Sequence, residues 1–328
     1  MRLVVTGATG FIGTRLALRA VREGHQVIAV GRRASADLQA DFSSHGVGLR
    51  LGDITDDEFV NDVVRHATHV CHLAAAWREV GLPIDHYRRT NVAGTRNVAL
   101  AAARHGVAKL VFCSTVGLHP RQSPDVIAEA SQLEITNSYE ASKAEAEELL
   151  RATAADTDLP IAILRPADVY GPGDLRLLKL FRAVAQQRFP LLGSGTGRRH
   201  MLYIDDLTSA FLAACANDSG SCEAFIIAGP EVITLRGLLG RLTNLLGVRR
   251  FGFRLPFGPM KIAAAIVEDV CRLLGVTPPI HRRTLDFYLT NVEYDVSKAR
   301  KMLRWTPQVP LDSGLQQTIN WYRQEKLL

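Results

Sequence analysis

Short β-branched runs, most of them apolar, recur through the first half of the chain, at residues 3–6, 27–30, 68–72, 110–113 and 161–164. Between them lie stretches of helical length and spacing, at 15–23, 58–65, 92–104 and 138–153. A strand that is apolar on both faces has to be covered on both faces. A helix between successive strands returns the chain for parallel pairing by a right-handed crossover. The pattern therefore predicts an α/β domain built on a doubly wound parallel sheet.

The rhythm changes after Arg165. A Pro- and Gly-rich segment, RPADVYGPGD (165–174), runs into the helix-like LRLLKLFRAVAQQ and then a loop, LLGSGTGRR. A strand at 225–228 is expected to rejoin the main sheet, and the remainder is helix-rich, at 235–246, 260–274 and 311–323. Two interleaved regions are expected: residues 1–165 with about 201–230 as the sheet domain, and about 166–200 with 231–328 as a smaller, mostly helical substrate region.

Composition narrows the field. Of 328 residues 47% are hydrophobic and 22% charged, enough apolar material for a core and too much for a disordered chain. No stretch of membrane-spanning length is free of charge, and the opening MRLVVTGATG turns before an apolar signal core can form, so a cytoplasmic location is expected. The net charge of +6 is scattered in pairs such as Arg32-Arg33 and Arg198-Arg199, with no aromatic-interleaved stripe. This argues against a nucleic-acid partner and leaves weak attraction to anionic ligands or to a membrane surface at the periphery. The five cysteines lack metal-ligand spacing and read as reduced core residues.

Chemistry first shows at Thr6-Gly7-Ala8-Thr9-Gly10-Phe11-Ile12-Gly13, which joins the first strand to the first helix. The turn has to be tight at Gly7, bare at Gly10 where a pyrophosphate approaches, and close to the sheet at Gly13, while the helix N-terminus offers free N–H groups to the anion. A dinucleotide site is expected. The second strand ends Ala29-Val30-Gly31-Arg32-Arg33, with no acid for an adenosine ribose hydroxyl and two guanidiniums able to grip a 2′-phosphate, which favours NADP over NAD. Tyr139 and Lys143 stand four apart in a helical segment, hence on one face. An ammonium about 6 Å from a phenol contributes on the order of 3 kcal/mol at an effective dielectric near ~20. A phenol acidified in this way is expected to exchange a proton with a substrate hydroxyl while hydride moves to or from a nicotinamide.

With these pieces in place the chain resembles the extended short-chain dehydrogenase/reductases, the NAD-dependent epimerase/dehydratase group that includes nucleotide-sugar epimerases and 3β-hydroxysteroid dehydrogenases. The resemblance rests on TGATGFIG, Gly52-Asp53, HLAA at 72–75, Asn91 in TNVAGT, FCSTV at 112–116, YEASK, RPADVYGP and YIDDL at 203–207, in order over essentially the whole length. It implies a Rossmann fold with a nicotinamide cofactor held by Gly7, Thr9, Gly10, Phe11, Ile12 and Gly13. Asp53 and Ile54 would meet the adenine, Leu73, Ala74 and Ala75 the adenosine phosphates, and Lys143 and Pro166 the nicotinamide end. The hydroxyl that orients the substrate is expected at Thr115, with Ser114 as second choice; it would donate to the carbonyl that Tyr139 protonates, while Asn91 supports the network.

On the substrate side, sugar-nucleotide members of the family carry Asn where this chain has Asp168, and a carboxylate repels a diphosphate. Arg199, conversely, matches the arginine those enzymes use on the phosphate. Trp77 and Tyr87 follow the fourth strand, where the family builds part of its substrate pocket, and the apolar stretch 257–274 reads as a lid, an interfacial element or a core helix. His200 with Asp205 and Asp206 invites a metal reading, yet the acids suit a helix start, and no metal is expected. The expected activity is NAD(P)-dependent interconversion of a secondary alcohol and a ketone on an apolar or polycyclic small molecule. A nucleotide-sugar 4-epimerase or dehydratase, and a non-catalytic NAD(P)-binding sensor, are the alternatives. The resemblance also implies a homodimer through the helices at 92–104 and 138–153.

Overall fold

The computed structural model describes residues 1–77, 82–217, 220, 222–249, 254–260, 262, 266, 271 and 287–328. Strands β1 (Arg2–Thr6), β2 (Gln26–Gly31), β3 (Gly48–Leu51), β4 (His69–His72), β5 (Lys109–Cys113) and β6 (Ile161–Pro166) follow one another with helices between. The chain then leaves for β7 (Asp168–Tyr170), β8 (Leu191–Leu192) and β9 (Arg198–Tyr203), returns with β10 (Glu223–Ile227), and leaves again for β11 (Val232–Thr234) and β12 (Arg254–Leu255). The main sheet has the order β10-β6-β5-β4-β1-β2-β3, all parallel. Its order reverses between β1 and β4, and in such sheets ligands bind in the crevice beyond the strand C-termini at that point. Strands β11-β9-β7 form a small second sheet, and β12 pairs with β8.

Helices that lie wholly among the described residues include α1 (Phe11–Arg22), α2 (Ala36–Ser44), α3 (Asp57–Val64), α4 (Ile84–Arg88), α5 (Thr95–Arg104), α6 (Ser138–Thr157), α7 (Leu178–Ala185), α8 (Ile204–Cys215), α9 (Leu235–Leu246), α10 (Ser297–Met302) and α11 (Leu311–Gln324). Alternation along β1 shows why both faces need cover: Leu3 and Val5 join a core with α1 and α8, whereas Val4 joins a second core with α3, α5 and α6. Arg15 of α1 grips Asp205 of α8 through Nε and Nη2, at 2.5 and 2.8 Å. Asp206 accepts from the backbone N–H groups of Gln308 and Val309, tying the approach to α11 onto α8. The two acids thus join elements, and no group of potential ligands with metal-holding geometry occurs among the described residues.

Several expectations shift in detail. The helix expected from 92 forms as α5 only from Thr95, preceded by a π-helical turn over Arg89–Gly94. The helix expected from 175 starts at Leu178, because Asp174 Oδ1 accepts from Arg176 N–H at 2.8 Å and holds a tight turn first. Edge strand β3, GLRL, lies outside the runs read as strands; it is largely exposed and has no continuous apolar signal. The apolar segment 257–274 lies largely outside the described residues. All five cysteines are free thiols, with Cys71 and Cys215 buried. No helix among the described residues is long and apolar enough to cross a membrane.

Candidate active site

A cavity of about 670 Å³ opens above the C-terminal ends of the central strands, and the glycine-rich turn forms one wall. Gly7 has φ +68°, and a Cβ there would come within 2.7 Å of Ala74 N; one at Gly13 would come within 2.2 Å of Gly7 O. A Cβ at Gly10 would meet only Gly7 O, at 3.3 Å, so this face of the turn is open to a ligand. Gly10 supplies no side-chain cap to α1, which leaves the helix's first N–H groups for an anion. A dinucleotide diphosphate fits this cradle. Phe11, Ile12, Leu73 and Ala75 also line it, while the Thr9 side chain fills the space beside Gly31. Farther out, Asp53 Oδ1 accepts from Thr55 N and Oγ1, and Ile54 is buried beneath Gly94. Arg32 and Arg33 stand exposed beyond β2, with no ion pair or hydrogen bond among the described residues.

Tyr139, Lys143, Thr115 and Pro166 meet in the same cavity. Asn137, two residues before Tyr139, caps α6 by accepting from Glu140 N–H at 3.0 Å and so fixes the helix start at Ser138. Lys143 Nζ lies 3.9 Å from the centroid of the Phe112 ring, and burial brings its pKa down to about 8. The Tyr139 phenol differs from the expectation of an acidified group. Burial raises its pKa above the ordinary phenol value, Cys113 and Glu140 add to this, and Arg176 opposes it. Residue spacing conveys the attraction of an ammonium but not desolvation, which dominates here. Tyr139 is therefore a protonated donor at neutral pH.

The two hydroxyls after β5 are not equivalent. Ser114 Oγ donates to Glu147 Oε1 at 2.6 Å, so its proton is already committed. Thr115 Oγ1 accepts from Gly117 N–H at 3.0 Å, which leaves its own proton for an acceptor in the cavity. Glu147, one turn beyond Lys143, also receives Arg165 Nε at 2.9 Å and Nη2 at 2.6 Å, and the pair is almost fully buried. This junction locks α6 to the ends of β5 and β6 and so sets where Tyr139 stands relative to Thr115.

Asn91 does not reach the cavity; it lies in the π-helical turn as a positioning residue. Its amide donates to Ser142 Oγ at 2.8 Å and to Ala76 O, and its oxygen accepts from Ala76 N–H at 2.7 Å. Ser142 Oγ in turn donates to Tyr139 O. Behind this, His72 bridges Thr6 and Thr95. Because Thr95 donates to Asn91 O at 2.6 Å, it must accept from His72 Nε2–H, which leaves Nδ1 to accept from Thr6. Burial pushes His72 down to about 3, so the ring stays neutral and the link between the glycine turn and Asn91 is permanent.

On the substrate side Trp77 and Asp168 line the cavity and both are exposed. Tyr87 does not line it; it is 5% exposed and packs edge-on behind Tyr139 with ring centroids 6.3 Å apart. Arg199 is also withdrawn: it is 1% exposed, donates to Phe287 O at 2.6 Å and lies 4.2 Å from the Phe287 ring centroid. Arg176 and Cys113 join the wall without having been read from the sequence. For Arg176 the available signal was its place two residues after Asp174, where an acid can hold both its backbone and its side chain.

The sequence profile of the NAD dependent epimerase/dehydratase family matches residues 3–228. The chain belongs to that family. Its fold is that of the extended short-chain dehydrogenase/reductases, and it is an NAD-dependent enzyme of dehydrogenase, reductase or epimerase type. It is 32% identical over 330 residues to the 2-alkyl-3-oxoalkanoate reductase of Stenotrophomonas maltophilia, spanning 96% of this chain and 97% of that protein. The UDP-glucuronate 4-epimerase of Thermodesulfobacterium geofontis is 27% identical, with 98% of this chain and 96% of that protein aligned. A dTDP-glucose 4,6-dehydratase from Streptomyces venezuelae, solved with NAD bound, has a TM-score of 0.80 at 25% identity over 99% of this chain and 98% of that one.

Proposed function

We propose that this family member is a reductase that converts a ketone on a largely apolar small molecule into a secondary alcohol, with NADPH as the preferred reductant. One observation carries the choice over a nucleotide-sugar epimerase: Arg199, the arginine that would meet a sugar-nucleotide phosphate, is buried under Phe287 and does not line the cavity, while the exposed Asp168 carboxylate does. A diphosphate placed against Asp168 would meet a like charge without the arginine that could offset it from position 199. Val169, Val292 and Tyr294 complete an apolar wall. The name of the Stenotrophomonas relative supports an alkyl-branched 3-oxo acid as the substrate class.

The nicotinamide supplies the hydride when bound. Thr115 donates a hydrogen bond to the ketone oxygen, and Tyr139 delivers the proton that the new alcohol requires. Lys143 offers its ammonium to the ribose hydroxyls, and Asn91 with Ser142 holds Tyr139 in place. Arg32 and Arg33 take the 2′-phosphate, so a double substitution to Ala should remove the preference for NADPH over NADH. A homodimer through α5 and α6 and a cytoplasmic location complete the reading; light scattering tests the first and cell fractionation the second.

The test is incubation with excess NADPH and a panel containing 2-alkyl-3-oxoalkanoates, simple ketones and UDP-glucose. Stoichiometric loss of nicotinamide absorbance with the ketones supports the reductase. Interconversion of the nucleotide sugar without net loss would replace it with the epimerase.

A further inference from the structure

Arg176 has the features of a ligand-binding group held ready for use. Its Nε donates to Asp174 Oδ1 at 2.6 Å and its Nη2 to Asp174 Oδ2 at 3.1 Å and to Val169 O. Asp174 is itself buried, at 1% exposure, and also accepts from the Arg176 backbone N–H, so one carboxylate fixes both main chain and guanidinium. Both N–H donors of Nη1 are left without a hydrogen-bond partner among the described residues. The guanidinium sits 5.3 Å from the Phe11 ring centroid and 5.6 Å from that of Trp77, within the cavity wall. Two aromatic faces at that range displace water from around the cation and strengthen whatever ion pair it makes.

Other cations in the wall are differently placed. Lys143 stands over Phe112 at the foot of the cavity, and Arg121 is paired with Glu140 at 3.1 Å. Arg176 is the one that bears on the Tyr139 phenol, opposing the effect of burial there. Its open edge and the Tyr139 hydroxyl both line one cavity, within reach of a single ligand.

We propose that Arg176 is the specificity residue for a substrate carboxylate, gripping it through Nη1 while Tyr139 and Thr115 address a ketone close by in the same molecule. This rests on the reductase reading and assigns its acidic group to a residue. A 3-oxo acid places a carboxylate two carbons from the ketone, which suits two polar contacts in adjacent parts of one chamber. Asp174 already balances the guanidinium, so the carboxylate completes an acid–arginine–acid ladder of charge-assisted hydrogen bonds.

The test uses the full chain and the Arg176→Gln and Arg176→Lys variants, each checked for an unchanged thermal midpoint. Kinetics compare a 2-alkyl-3-oxoalkanoate with its methyl ester. We expect Arg176→Gln to raise KM for the acid at least tenfold and to change that for the ester less than twofold, with Arg176→Lys in between. Equilibrium binding of the saturated 2-alkylalkanoate, followed by Trp77 fluorescence, should weaken by the same factor without any turnover. Equal losses for acid and ester would overturn the assignment while leaving the reductase intact. A loss confined to NADPH affinity would also overturn it, because the oxyanion would then be a cofactor phosphate. Arg176-dependent binding of the saturated acid, in a protein that reduces no ketone, would uphold the carboxylate site and reject the reductase.

Discussion

Replacing Glu147 by Gln leaves the Arg165 guanidinium, whose side chain is 3% exposed, without its counter-ion. The wild-type carboxylate accepts two bonds from Arg165, one from Ser114 and one from Arg151. A Gln side chain presents one oxygen and turns an NH2 toward a cation. Breaking one side of a buried ion pair costs about 3–5 kcal/mol. At about 2 °C per kcal/mol for a chain of this size, the thermal midpoint should fall by about 6–10 °C. The pH dependence checks the mechanism. Burial raises the Glu147 pKa, but Arg165, Ser114 and Arg151 outweigh it and hold it below the ordinary carboxylate value. A depressed folded-state pKa gives stability that is complete above the unfolded value, near ~4.3, and is lost as pH falls through the folded one. Wild type and variant should therefore converge in acid when melted side by side by circular dichroism. A loss below about 1 kcal/mol at neutral pH, or a gap that persists undiminished in acid, would refute the role given to this pair.

Tyr139→Phe should lower kcat by about 10²- to 10⁴-fold while leaving dinucleotide binding intact, as stopped-flow turnover and calorimetric titration would show. Thr115→Val should lose turnover with little loss of stability, whereas Ser114→Ala should lose stability by about 1–3 kcal/mol, because it removes a donor to the buried Glu147. Lys143 titrates at about 8 in the ligand-free protein, so dinucleotide affinity should fall as pH rises through that value and become insensitive to pH in Lys143→Met. Over the same range wild-type stability should rise with pH, between about 8 and the ordinary lysine value of 10.5, because there the unfolded chain still binds a proton that the folded chain has released.

The sheet and its glycine turn were legible because their constraints are local. β1, β5 and β6 are buried strands with apolar runs, and a Cβ at Gly7 or Gly13 would collide with backbone. Tyr139 and Lys143 were legible for the same reason, since a spacing of four puts them on one face of α6. What stayed hidden depends on distant partners. Ser114 and Thr115 look interchangeable in sequence, and only Glu147, 33 residues on, makes one structural and leaves the other free. The π-helical turn at Asn91 adds a residue to a helical turn without changing composition. Tyr87 and Arg199 have chemistry suited to a pocket, yet packing against Tyr139 and Phe287 takes them out of it. The raised pKa of Tyr139 follows from burial, which residue spacing does not encode.

In the proposed reaction hydride passes from a bound nicotinamide to a ketone held beside Tyr139 and does not return to the same substrate molecule. A single turnover with NADPH deuterated at the reactive ring carbon, a 2-alkyl-3-oxoalkanoate as acceptor and mass spectrometry of the product tests it most directly. Wild type should leave one deuterium on the new carbinol carbon, and Tyr139→Phe almost none over the same interval. Deuterium remaining on the cofactor with every ketone, while a nucleotide sugar is inverted without net oxidation, would contradict it.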